Sequence, residues 1–135
     1  MTLGIVNKNP GNIRFSPNIN WLGQIGESHG FAVFDTPENG IRALARILLN
    51  YQAHDNCNTV TKIITRWAPP SDDNPTNDYI ANVATRMGVS ATQNVVLSQN
   101  TDLLVDMIKA IITQENGDQP YSDDLVRSAI SDAEA

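Results

Sequence analysis

Cysteine occurs once, as Cys57, so no internal disulfide can form, and a lone thiol fits folding under reducing conditions. Histidine occurs twice, at His29 and His54, well apart from each other. Neither they nor Cys57 supply metal-ligand spacing, and no metal or other cofactor is expected. The glycine-rich phosphate-binding loops and the GxSxG nucleophile elbow are missing as well. No apolar run approaches the roughly 20 residues of a membrane span. The opening MTLGIVNKNPGN lacks the apolar centre of a secretion signal. The expectation is a protein made in the cytoplasm, whose delivery to anything outside would fall to another component. Nine Lys and Arg stand against fifteen Asp and Glu, with no basic run. A nucleic-acid backbone is therefore not an expected partner.

What is present fits one domain. A chain of 135 residues has room for a single core. Its charge is uneven: residues 1–66 carry six basic and four acidic side chains, residues 67–135 three and eleven. The first 35 residues are rich in Gly, Asn and Pro, and NKNPGN and Pro17-Asn18 mark turns. Trp21–Ile25 and Phe31–Phe34 read as two short strands joined by a Gly26–Gly30 loop. Alternation puts Phe31 and Val33 on one face of the second strand, Ala32 and Phe34 on the other. Such a hairpin is not stable alone and must lean on helices.

Helical periodicity governs the rest. Thr36-Pro37-Glu38 is a strong helix start, and Ile41, Leu44, Ala45, Leu48 and Tyr51 form one apolar stripe over residues 37–53. A shorter helix over 59–67 carries Val60, Ile63, Ile64 and Trp67 and is halted by Pro69-Pro70. Thr76 or Asn77 caps a helix over 76–87, which Gly88 ends. A short helical turn is expected at Ala91–Asn94. A helix over 101–115 follows, with Thr101 as cap, and a last one over 122–132. The fold class is mainly α with one small β-hairpin near the start.

The 101–115 helix is the most apolar in the chain and ends in Glu115, because Asn116-Gly117 and Pro120 forbid continuation. A carboxyl group at such a tip is half sheltered by its own helix. Partial burial favours the protonated form of a carboxyl, the state in which it can act as a general acid. The simpler alternative is a solvated glutamate at a fraying end.

Three stretches form a set: Asn9-Pro10-Gly11-Asn12-Ile13-Arg14, then Trp21-x-Gly23, then Phe31-x-Val33-Phe34-Asp35-Thr36-Pro37-Glu38-x-Gly40-Ile41. Together they resemble the middle of the lysozyme-like peptidoglycan glycosidases, especially the phage muramidase and bacterial glucosaminidase branches. Trp67-Ala68-Pro69-Pro70 through Asp78-Tyr79-Ile80 resembles that family's later turn, where a tyrosine faces the glycan cleft. The pieces NPGNIR, FDTPE and RWAPP also resemble those of small phage virion or lysis proteins. In that family the catalytic glutamate ends a helix that precedes the Asn/Gly segment. Here only eight residues precede Asn9 and none is acidic. The run Ile111 to Pro120, with Glu115 inside it, resembles the missing helix end, placed at the other terminus. The resemblance therefore implies a circularly permuted lysozyme-like domain, a rearrangement that neighbouring chain ends make structurally cheap.

It further implies a monomeric glycosidase acting on the β-1,4 glycan strands of peptidoglycan, carried in a virion or released through a holin-type pore. Glu115 would be the general acid, and Glu27, in the hairpin loop, the candidate second carboxylate. Tyr79, Tyr121, Asn12, Arg14 and Gln24 are the candidate sugar-binding side chains, whereas Trp67 reads as core. If no second acid faces Glu115, a lytic transglycosylase is the alternative. A glucosaminidase, a non-catalytic wall-binding virion protein and a helical interaction domain are the others.

Overall fold

The computed structural model describes residues 1–135 and bears out the mainly helical class with its small hairpin. Six helices and two strands follow one another. They are α1 (Leu3–Val6), β1 (Gln24–Ser28), β2 (Phe31–Phe34), α2 (Pro37–Asp55), α3 (Val60–Trp67), α4 (Thr76–Met87), α5 (Thr101–Asn116) and α6 (Asp123–Glu134). Short 3₁₀ turns at Pro70–Asp72 and Leu97–Gln99 punctuate the connections.

Two helices organise the core. The stripe of α2 buries Ile41, Leu44, Ala45 and Leu48 against α6, α3, α5 and β2. Helix α5 buries Leu104, Met107, Ile108, Ile111 and Ile112 against α4 and α6. Thr36, Thr59 and Ser122 each accept the expected backbone N–H at the start of α2, α3 and α6.

Several local expectations shift. The α5 cap is Asn100, whose side chain accepts from the Leu103 N–H, so Thr101 is already helical. Helix α4 follows Pro75 with no side-chain cap, because the Thr76 hydroxyl donates to the Ala68 carbonyl at 2.7 Å and ties α3 to α4. The turn expected at Ala91–Asn94 is a single hydrogen-bonded turn, the Gln93 N–H donating to the Ser90 carbonyl at 3.1 Å, and a separate 3₁₀ turn follows at Leu97–Gln99. There Gln52 clamps the chain, donating to the Cys57 and Val95 carbonyls and accepting from the Leu97 N–H.

The hairpin also starts later than its sequence pattern implies. Gly23, at φ +79°, turns the chain, and Gln24 is the first paired residue. His29 and Gly30 both hold positive φ, giving a two-residue turn instead of a five-residue loop. A bulge between Gln24 and Gly26 leaves Ile25 facing solvent. On β2 the expected alternation is present, with Ala32 and Phe34 buried.

The hinge between hairpin and helices is Asn9, fully buried. Its amide donates to the carbonyls of Ile13 and Ala32, each at 2.9 Å, and its oxygen accepts the Ile13 N–H. Arg14 then forms an isolated bridge with Phe31. Asn116 does the corresponding work on α5: its amide donates to the Pro10 carbonyl at 2.7 Å, and its oxygen accepts from the Thr2 hydroxyl at 2.6 Å. The asparagine segment is thereby fastened to the end of α5 on one side and to β2 on the other.

Candidate functional site

At that junction, on the last turn of α5, Glu115 is half-buried, with both oxygens engaged. Asn12 Nδ2 donates to Oε1 at 3.1 Å, and the Tyr79 hydroxyl donates to Oε2 at 2.9 Å. Behind Tyr79, Trp67 Nε1 donates to the phenol oxygen at 3.0 Å. An indole N–H can only donate, so the single phenol proton has to point at Glu115. The order Trp67 to Tyr79 to Glu115 is thus fixed by hydrogen-bond valence.

Each partner is held by its own element. Tyr79, 2% exposed, sits on the first turn of α4. Burial first, and the neighbouring Glu115 charge second, push its hydroxyl far above the usual phenol range, so it stays a protonated donor. Asn12 takes φ +53° at the corner of the NPGN turn, a conformation that asparagine tolerates.

Glu115 opens into a groove of about 600 Å³. Trp21, Phe31, Tyr51 and Trp67 give it aromatic walls, and Asn12, Asn50 and Asn74 give it amides. Arg14 and Arg66 border it, as do the carboxylates Asp55 and Asp72. Asp55 lies 3.6 Å from Arg66, whose guanidinium also rests over the Tyr51 ring. Asp72 has no ion-pair or hydrogen-bond partner on its side chain. A second depression, of about 630 Å³, shares Asn50 and His54 with the groove but has no Trp, Tyr or Phe in its wall and lies away from Glu115. No group of His, Cys, Asp or Glu is arranged to hold a metal ion, and no helix is long and apolar enough to cross a membrane.

The structure brings Glu115, Asn12, Tyr79 and Arg14 together. Tyr79 stands behind the carboxyl instead of facing the cleft, whereas Trp67, read as core, does pack against the core and also lines the groove. Glu27 is not brought in: its carboxylate accepts the Gly30 N–H at 2.7 Å and closes the hairpin turn. Gln24, which accepts the Trp21 N–H, and Tyr121, whose backbone is bracketed by the Gln119 side chain, also lie outside the groove wall. Among the groove residues that sequence reasoning missed are Trp21, Phe31, Tyr51, Arg66, Asp55 and Asp72. Asp72 carried one faint signal, its place in the polar loop directly after Trp67-Ala68-Pro69-Pro70.

Fold and site together define a mainly helical domain with one β-hairpin, built around a glutamate held at a helix end beside an aromatic groove. The chain belongs to the family of protein P5 of Pseudoalteromonas phage PM2, to which it is 35% identical over 128 residues, 92% of this chain and 77% of the phage protein. No family model matches the sequence.

Proposed function

We propose that this protein is a peptidoglycan glycosidase of lysozyme-like architecture, with Glu115 as its general acid. One observation carries the reading: the Glu115 carboxyl, fixed through both oxygens, opens into a groove walled by aromatic rings and amides. Rings suit the apolar faces of sugars, amides suit their hydroxyls, and a positioned carboxyl suits proton delivery to a glycosidic oxygen. The rotated order of elements is supported by the Thr2–Asn116 contact, which sets the end of the Glu115 helix beside the stretch leading into the Asn9–Arg14 segment and the hairpin. Membership of a phage protein's family fits a wall-directed role during infection.

In this mechanism the two oxygens of Glu115 have different duties. Oε2 faces the buried Tyr79 hydroxyl and serves as an acceptor. Oε1 lies on the groove side with Asn12 and passes the proton to the leaving sugar. The carboxylate left behind accepts from Asn12 and Tyr79 together, which stabilises it as charge develops. Water then completes hydrolysis, with Asp72 as the groove's unengaged base. The same acid can serve a transglycosylase, in which the sugar's own hydroxyl attacks and Asp72 is dispensable.

Digestion of purified sacculi followed by mass spectrometry of the fragments is the test. Reducing-end muramic acid marks a muramidase, reducing-end glucosamine a glucosaminidase, and an anhydro end a transglycosylase. Binding to sacculi with no fragment released would leave only a wall-binding module. Asp72→Asn is expected to lower hydrolysis about 100-fold; turnover unchanged with anhydro products would assign the transglycosylase route instead.

Tyr79→Phe removes one donor from the Glu115 carboxylate without changing the ring. The carboxylate left after proton transfer then keeps Asn12 as its one remaining donor, and release of fragments is expected to fall about tenfold. Unchanged release, with folding intact, would remove Tyr79 from the mechanism.

A further inference from the structure

We propose that Arg14 selects for anionic glycans by taking a substrate carboxylate, a role that rests on the groove being a glycan site. The groove wall contains three acids, Glu115, Asp55 and Asp72. An anionic chain would be repelled from it without a fixed cation. Both arginines there lie over an aromatic ring, but Arg66 also has its charge offset by Asp55 at 3.6 Å. Arg14 pairs with no carboxylate and its guanidinium makes no hydrogen bond within the protein, so its fork of N–H donors stays free.

That free fork is nonetheless held in place. The Arg14 guanidinium lies over the Phe31 ring, 5.5 Å from its centre, which positions the cation without using its donors. Its backbone bridges Phe31, and the residue before it is gripped by Asn9. Asn12, two positions earlier, holds Oε1 of Glu115. One short rigid segment therefore presents both the acid's partner and a planar cation to the same ligand.

Carboxylates bind such a fork through two parallel hydrogen bonds. Peptidoglycan and chitin share a β-1,4 backbone of N-acetylated sugars. Only the former carries lactyl groups, free or extended by short peptides, that bring carboxylates beside the glycan. Arg14, the groove cation with no carboxylate of the protein beside it, is thus placed to distinguish the two.

The experiment is titration calorimetry of the full chain, in the Glu115→Gln background, with two ligands. One is a muramyl-peptide-bearing tetrasaccharide, the other the neutral N-acetylglucosamine tetramer. Arg14→Gln is expected to weaken binding of the anionic ligand about tenfold and that of the neutral ligand less than twofold, with Arg14→Lys in between. Equal weakening of both ligands, no weakening of either, or no binding of either would overturn the proposal. Failure of the glycosidase reading registers separately, as selective binding by a protein whose unmutated form releases no sugar fragments.

Discussion

Glu115→Gln is expected to lower the release of glycan fragments from sacculi by about 1000-fold, the span of a lost general acid and about 4 kcal/mol in the barrier. The substitution keeps the length and volume of the side chain. Its carbonyl can still accept from one of the two donors, Asn12 and Tyr79. What it loses is a proton to give. Binding to sacculi should survive, because the aromatic and amide walls are untouched. Circular dichroism and a melting temperature within a few degrees of the parent would establish that chemistry, not folding, has been lost. A variant that retains a tenth of parental activity would exclude Glu115 as the acid. Glu115→Asp is a useful companion: it keeps the carboxyl but draws it back from both donors, so its activity should fall nearly as far.

The sequence was informative where local chemistry decides structure. Thr36-Pro37, Thr59 and Ser122 placed three helix starts, because a cap is a contact between residues three apart. Glu115 was readable as a helix-end carboxyl because Asn116-Gly117 stops α5 within one residue of it, with Gly117 at φ +71°. The groove was less readable, since it is assembled across distance. Tyr51 belongs to the apolar stripe of α2, and periodicity does not say that the last ring of a stripe emerges from the core into a cleft. Tyr79 shows the opposite limit: the resemblance implied a tyrosine facing the cleft, but its hydroxyl is consumed between Trp67 and Glu115. Glu27 was misplaced because the hairpin turn is two residues long. Positive φ at His29 and Gly30 tightened it until the carboxylate met the Gly30 N–H. Helix α1 escaped notice because four residues are too few to display a period.

Gly40→Ala is expected to lower stability by about 3 kcal/mol and the melting temperature by about 10 °C, although alanine is the better helix former. Helix propensity favours the substitution by at most about 1 kcal/mol. Against that, a Cβ at Gly40 would lie 2.0 Å from the Lys8 carbonyl oxygen and 3.1 Å from its carbon. Both atoms are backbone, so no side chain can swing aside. Nor can the segment retreat freely, since Asn9 is anchored to Ile13 and Ala32 and Pro10 to Asn116. Displacing Lys8–Asn9 must strain those bonds or carry Asn12 with it, away from Oε1 of Glu115. Activity measured well below the melting point should therefore fall more than the fraction unfolded accounts for. Gly26→Ala is the control: a Cβ there meets nothing within 4 Å, and stability should stay within about 0.5 kcal/mol of the parent. If Gly40→Ala melts with the parent and keeps its activity, the close approach of α2 to the NPGN segment is not what holds the site together. If it melts early and its residual folded population is also impaired, the packing beneath the hairpin and the geometry of the acid are set by the same contact.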